Sequence, residues 1–175
     1  MRRALVRLAC AALGGALLAA GACRAQVRDA DMKAAYVYNF VQFTSWPAPA
    51  ARATNAASAA SAALAVCAER ASALGRALQA YDGRQAAGRV WQLVDLQARA
   101  PACDVLVLGR TEAAVTVAAG AGTLVSRDGA APASAAAITL VDNDEHLQFD
   151  IDTREVARAG LRISSKLLRL ARTVE

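Results

Sequence analysis

The chain has 175 residues and a formal net charge of +5 at pH 7, from 20 basic and 15 acidic side chains. Four of the basic residues lie within the first 25 positions, so the rest of the chain carries 16 basic side chains against 15 acidic ones. This near-neutral balance gives no support to nucleic-acid binding, and the length suits one domain with its own hydrophobic core.

The first 25 residues have the composition of a secretory signal peptide. A short basic start precedes an apolar run over residues 8–22, and Cys23 and Ala25 place small residues before Gln26. We therefore predict a secretory signal peptide over residues 1–25 and a mature, secreted domain over residues 26–175. A form with a lipid-modified Cys23 is the weaker alternative, since Ala20 stands where such proteins usually have leucine.

Residues 33–47 hold five of the eight aromatic residues in the sequence. At 3.6 residues per turn, their apolar side chains fall on one arc, which predicts a helix packed on the core. The arc contains Tyr36, Val37, Phe40, Val41, Phe43 and Thr44, and the opposite face contains Asn39, Gln42 and Ser45. Asp31 is the predicted N-cap, and Pro47 the predicted end because proline lacks the N–H that continues a helix.

Apolar runs separated by turn residues follow an alanine- and serine-rich segment, which we predict to be an exposed connector over residues 48–62. Strands are predicted at residues 64–67, 89–94, 103–108, 123–125, 137–141 and 147–151, and helices at residues 68–80, 111–120 and 153–174. Alternating strands and helices indicate a parallel sheet, and the turn residues 142–145 indicate a hairpin. We predict a single-domain α/β/α sandwich with a mixed, mostly parallel sheet and an antiparallel edge hairpin.

Cys67 and Cys103 remain in the mature chain once residues 1–25 are removed. An even number of cysteines in an oxidising compartment indicates a disulfide. Each of the two lies at the end of an apolar run, which can place both at the same rim of the sheet. Two buried free thiols are the alternative. The sequence has no Cys-x-x-Cys motif, which argues against a redox enzyme or a zinc site.

The sequence predicts no catalytic residue, no metal ligand and no cofactor. His146 is the only histidine, and it lies in a predicted turn among acidic side chains rather than beside a catalytic partner. The acidic residues around it do not have the spacing of a calcium loop. Ser164 and Ser165 precede Lys166 too closely to share a helical face with it, so helix capping explains them better.

Two sets of side chains are candidates for binding a protein partner. Tyr38 and Trp46 lie beside Gln42 on the polar side of the first predicted helix, and protein interfaces favour exposed aromatic residues. The alternative for Trp46 is that it folds back under the loop that follows the helix.

The second set is basic and lies in the C-terminal segment, where Arg154, Arg158, Arg162 and Lys166 recur every four residues. Taken as one helix interrupted at Gly160, with Thr153 and Ser164 as caps of its halves, the segment presents a basic stripe. A solvated helix face is the ordinary explanation of such a stripe. A docking surface for an acidic partner or for lipid headgroups is the functional explanation.

Three blocks of sequence resemble the YfiR family of periplasmic regulators, and together they cover most of the mature chain. The blocks are Lys33-Ala34-Ala35 with Tyr38-Asn39-Phe40, Phe43 and Trp46-Pro47; then Cys67, Gly75, Leu78, Gly88-Arg89-Val90 and Cys103-Asp104-Val105-Leu106; then Phe149-Asp150-Ile151-Asp152 with residues 158–171. The chain departs from the family's usual pattern by carrying Asp152 at an asparagine position. It also lacks the second cysteine pair that some members have near residues 142–150.

The resemblance implies a periplasmic repressor without catalytic activity or cofactor. Members of the family bind the periplasmic sensor region of an inner-membrane diguanylate cyclase and hold it inactive, and an outer-membrane lipoprotein can sequester the repressor. The candidate contact residues are Tyr38, Gln42, Trp46, Arg158, Arg162 and Lys166. A periplasmic small-ligand-binding module is the alternative function, and a homodimer stays open.

Overall fold

The computed structural model describes residues 29–46, 63–97, 103–109, 122–129, 135–143 and 146–175. The signal peptide predicted over residues 1–25, the connector predicted over residues 48–62 and the helix predicted from Thr111 lie outside these residues. Within the described ranges, no helix has the length and apolar character needed to cross a membrane.

The first described helix, α1, covers residues 29–42 and carries the predicted apolar arc. Its buried side chains include Val37, Phe40 and Val41, whereas Asn39 and Gln42 on the opposite face are exposed. Ser45 is exposed as well but lies beyond the end of the helix. The prediction of Asp31 as N-cap is wrong, because residues 29 and 30 are already helical. The helix ends well before Pro47, because the chain turns at Phe43 into the short strand β1 (Thr44–Ser45).

One eight-stranded sheet forms the centre of the described part of the chain. It contains β2 (Leu64–Ala68), β3 (Gln85–Ala86), β4 (Arg89–Asp95), β5 (Val105–Leu108), β6 (Leu124–Asp128), β7 (Ile138–Asn143), β8 (His146–Ile151) and β10 (Thr173–Val174). Its strand order is β10-β8-β7-β6-β5-β2-β4-β3. Five of its seven pairings are parallel, which confirms the predicted α/β fold with a mixed, mostly parallel sheet. The five inner parallel strands follow the doubly wound order 2-1-3-4-5.

The predicted hairpin is present, but its place at the edge of the sheet is wrong. β7 and β8 pair antiparallel up to Asn143 and His146. β10 then lies parallel to β8 on its outer side and is the outermost strand. This position arises because the N–H groups of Arg172 and Glu175 donate to carbonyls of β8.

The remaining helices are short. They are α2 (Ala73–Leu78), which continues into a 3-10 turn (Gln79–Tyr81), α3 (Thr153–Arg158) and α4 (Ser165–Leu168). In α2 a Cβ atom on Gly75 would lie 2.0 Å from the carbonyl oxygen of Glu69, so only glycine fits there. Asp152 is the N-cap of α3, so the prediction of Thr153 as that cap is wrong. Ser164 is the N-cap of α4, as predicted.

The C-terminal segment is not the single interrupted helix that its basic pattern predicted. Gly160 has a φ of 72°, which glycine adopts without the strain that other residues meet. The chain then forms the short strand β9 (Arg162–Ile163), which pairs antiparallel with β1. The four basic residues therefore do not share one helical stripe, because strand pairing with a distant segment overrides the local helical period.

All four described helices bury side chains in the larger of two hydrophobic cores. These side chains are Ala34, Val37, Phe40 and Val41 of α1, Leu74 and Leu78 of α2, Val156 of α3 and Leu167 of α4. The smaller core contains Cys67, Leu106, Leu108, Val125 and Ala136. Neighbouring residues of one strand, such as Val66 and Cys67, belong to different cores, so the two cores lie on opposite faces of the sheet.

The sheet curls around α1, and the helix contacts strands near both edges of the sheet. The Tyr36 hydroxyl donates to the Leu147 carbonyl of β8 at 3.1 Å, and the Tyr38 hydroxyl donates to the Gln85 carbonyl of β3 at 2.6 Å. Five strands separate β8 from β3 in the sheet order. The aromatic helix is therefore the element around which the described strands are arranged.

Candidate partner-binding surface

A buried lysine fixes the N-terminal end of α1 to the sheet. The Lys33 side chain is 3% exposed, and its Nζ lies 2.7 Å from Asp29 Oδ2, 3.1 Å from Asp128 Oδ1 and 3.0 Å from Asp142 Oδ2. Asp128 ends β6, and Asp142 lies near the end of β7. One ammonium group thus holds the helix against the carboxyl ends of two strands.

Tyr38 and Gln42, one helical turn apart, attach the middle of α1 to the β3–β4 hairpin. Besides the bond from Tyr38, the Gln85 carbonyl accepts one from Gln42 Nε2 at 3.4 Å, and Gln42 Oε1 accepts the Ala87 N–H at 3.3 Å. The Tyr38 ring stacks on Tyr81 with centroids 4.7 Å apart. Tyr38 is half-buried as a result, while Gln42 stays exposed.

Trp46 joins the end of α1 to the segment that carries two of the predicted arginines. Its indole N–H donates to the Gly122 carbonyl at 2.9 Å, and the Gly122 N–H donates to the Ala159 carbonyl at 2.7 Å. Ala159 follows Arg158 directly, and the β1–β9 pairing places Arg162 opposite the strand before Trp46. The fold therefore brings Trp46, Arg158 and Arg162 into one neighbourhood, whereas Tyr38 and Gln42 face the hairpin.

The basic candidates differ in their partners. Arg158 forms an ion pair with Glu155 one turn earlier in α3. Arg162 and Lys166 are both exposed and have no acidic partner within 4 Å among the described residues. Of the three basic candidates, Arg162 on β9 and Lys166 on α4 are thus the two without a described ion pair.

A shallow recess of about 230 Å³ lies beside Arg158. Its walls are formed by Thr123, Val125, Ala135, Ala137, Glu155, Arg158 and Ala159. Small-molecule sites usually enclose about 300–1,000 Å³, so this recess is small for a ligand pocket. It adds a depression to the surface next to Trp46 and Arg158.

The comparison with protein families identifies the chain. A match to the YfiR/HmsC-like family covers residues 30–172, that is, all of α1 except its first residue and every described element from β1 to α4. The chain belongs to the YfiR/HmsC-like family. A search of curated proteins finds no match to the chain.

The disulfide predicted between Cys67 and Cys103 is present in this YfiR/HmsC-like chain, with Cα atoms 5.8 Å apart. Asp104, the residue after Cys103, reinforces the same strand junction. Its carboxylate accepts the Ala65 N–H at 2.9 Å and pairs with Arg89 at 2.8 Å. The covalent bridge and these polar contacts together hold β2, β4 and β5 in register.

We expect the predicted mature protein, residues 26–175, to show no reactive thiol when it is purified and unfolded without reductant. The bridge closes a loop with a sequence separation of 36, so its reduction should lower the free energy of unfolding by about 3–4 kcal/mol in the chain-entropy account. Thiol titration in denaturant, with and without prior reduction, measures both states. Two reactive thiols per unreduced chain would contradict the bridge.

An ion pair also holds the outermost strand of this YfiR/HmsC-like domain. The Arg172 guanidinium donates to both carboxylate oxygens of Asp150. These hydrogen bonds lower the pKa of Asp150 below its ordinary value of 3.8. Because the pKa is lower in the folded state, the pair stabilises the fold above that value, and this contribution is lost as the pH falls through the folded-state pKa.

Sequence reasoning missed the role of Lys33, although a signal for it exists. Lys33 lies four residues before Val37 and seven before Phe40, which places it on the apolar arc of α1. A lysine in that position must either point away or find carboxylates inside the fold.

Among the described residues there is no cluster of three or more potential metal ligands, and His146 is exposed at the start of β8.

Proposed function

We propose that the chain is a periplasmic regulatory protein that represses an inner-membrane diguanylate cyclase. It binds the periplasmic sensor region of the cyclase, holds it inactive and so limits cyclic-di-GMP synthesis. The observation that carries this proposal is the YfiR/HmsC-like match over residues 30–172. In this account residues 1–25 direct secretion, residues 26–175 are the regulatory domain, and the protein acts without catalysis or a cofactor.

The proposed contact surface combines aromatic and basic side chains. It comprises Tyr38, Gln42, Trp46, Arg158, Arg162 and Lys166. The neighbourhood formed by Trp46, Arg158 and Arg162 supports this choice, because an aromatic anchor beside exposed cations suits an acidic partner. An outer-membrane lipoprotein that sequesters the repressor would compete for the protein and release the cyclase.

The intramolecular contacts decide which residues can test this surface cleanly. Tyr38 and Trp46 both donate hydrogen bonds inside the fold, so alanine at either position also weakens the domain. Arg158 is paired with Glu155, so a glutamate there would create a repelling pair. Arg162 and Lys166 are exposed, and charge reversal at these two positions leaves the described contacts of the fold intact.

The test is capture of the cyclase from solubilised membranes by the tagged mature protein. We expect the wild type to retain a diguanylate cyclase and the Arg162→Glu, Lys166→Glu variant to associate several-fold more slowly. Added salt should shrink that difference, since steering by exposed charges is screened. Arg70→Glu, on an exposed arginine before α2, is the matched control and should behave as wild type. Failure of the wild type to retain any cyclase would contradict the proposed function.

One observation favours the alternative of a small-ligand-binding module. In doubly wound sheets, ligands bind outside the carboxyl ends of the strands where the order reverses, which here is between β2 and β5. A module that binds only a small ligand would retain no cyclase from solubilised membranes. The capture experiment therefore separates the two functions.

A further inference from the structure

The outer edge of the sheet at β10 carries apolar side chains that the fold leaves exposed. Four large hydrophobic side chains among the described residues are exposed, and two of them, Leu170 at 71% and Val174 at 46%, lie within five residues of one another. Leu170 follows α4, and Val174 belongs to β10. Single exposed apolar side chains are ordinary on a protein surface, but two of them close together beside an edge strand mark a candidate interaction site.

Among the described strands, β10 has a neighbour on one side, which is β8, and its other side faces no described strand. Both residues of β10 are exposed. Val174 is in register with Ile151, a residue of the larger core, so its side chain lies on the face of the sheet that α4 covers. An extended peptide that paired with β10 would therefore also pass the exposed side of α4.

The charges beside this edge select the kind of partner. Lys166 of α4, and Arg169 and Leu170 in the turn that continues it, are all exposed and lie at spacings of three and four residues, so their side chains are near one another. Neither Lys166 nor Arg169 has an acidic partner within 4 Å in the described part of the chain. Arg172 is already paired with Asp150. The acidic side chain that directly follows β10 is Glu175.

We infer that this edge, formed by Lys166, Arg169, Leu170 and β10, binds an extended acidic segment of the cyclase's periplasmic region. The segment pairs with the side of β10 that faces no described strand, an apolar side chain of the segment covers Leu170, and its carboxylates meet Lys166 and Arg169. A second copy of this chain would bring the same cations face to face, and a bilayer surface offers no strand to pair with β10. The inference rests on the proposed function and adds the chemistry of the partner segment.

The test uses the complex captured from membranes, with two serine variants at exposed apolar positions. Leu170→Ser should weaken retention of the cyclase about tenfold or more, because central apolar anchors carry much of the affinity of an interface. Val90→Ser is the matched control, since Val90 is also exposed, at 40%, but lies on β4 near the opposite edge. Arg169→Glu should slow association by several-fold, with a smaller effect at high salt.

Hydrogen exchange on the captured complex tests the strand pairing directly. The backbone amide of Val174 should exchange more slowly in the complex than in the free protein. Equal retention by Leu170→Ser and wild type, or unchanged exchange at this amide, overturns the inference while the proposed function stands. Self-association of the free protein that Leu170→Ser abolishes would assign the edge to a second copy and also overturn it. Absence of any cyclase with the wild type overturns both.

Discussion

We expect Lys33→Met to lower the free energy of unfolding by about 3–5 kcal/mol, the range for loss of one member of a buried ion pair. The lysine side chain is 3% exposed and lies within about 3 Å of carboxylates from α1, β6 and β7. Methionine fills the same volume but removes the charge that the three aspartates share. Of the three carboxylates, Asp128 is the least exposed, at 13%, so water would stabilise its negative charge least once the lysine charge is removed.

Urea-induced unfolding of the mature protein measures this effect. Lys166→Met is the matched control, because Lys166 is the one other lysine of the chain and lies exposed on α4. The control should unfold within about 0.5 kcal/mol of the wild type, as surface substitutions usually do. Equal stability of Lys33→Met and wild type would show that the network does not hold α1 on the sheet.

Phe40→Ala should cost about 3–5 kcal/mol of stability, because the substitution leaves a cavity in the centre of the larger core. The Phe40 side chain is 1% exposed. Its ring centroid lies 4.9 Å from that of Phe149 and 6.0 Å from that of Tyr36, so α1 and β8 meet at this residue. Few residues in an alanine-rich chain supply comparable apolar area.

The comparison for Phe40→Ala is Met32→Ala on the same helix. Met32 is 46% exposed, and alanine there keeps the helix propensity while removing a side chain of similar volume. Thermal unfolding should separate the two variants clearly, with the Phe40 variant melting far below the Met32 variant. Similar melting temperatures would mean that the aromatic arc does not anchor the helix to the sheet.

The sequence predicted α1 and the sheet well because both depend on local periodicity. The 3.6-residue pattern places Val37, Phe40 and Val41 on one face, and their burial needs no knowledge of what they contact. The apolar runs likewise predicted the inner strands, with boundaries shifted by a few residues. The cysteine count predicted the disulfide, although the two residues are 36 positions apart.

The rest depends on contacts that no local pattern contains. Lys33 is buried because Asp128 and Asp142, 95 and 109 residues away, meet it at the end of the sheet. Arg162 follows a helical repeat but lies in β9, because pairing with β1 competes with helix formation. The helical repeat predicted Leu170 on the apolar side of the segment together with Leu167, whereas in the fold Leu170 is 71% exposed beside an edge strand.

The central claim is that the protein represses a membrane diguanylate cyclase, and cellular cyclic-di-GMP tests it most directly. Cyclic-di-GMP should be compared in the wild type, in a strain lacking this protein, and in a strain lacking both the protein and the cyclase captured with it. Loss of the protein should raise cyclic-di-GMP, excess protein should lower it, and the double deletion should remove the rise. Unchanged cyclic-di-GMP after deletion, with the cyclase present and expressed, would contradict the account.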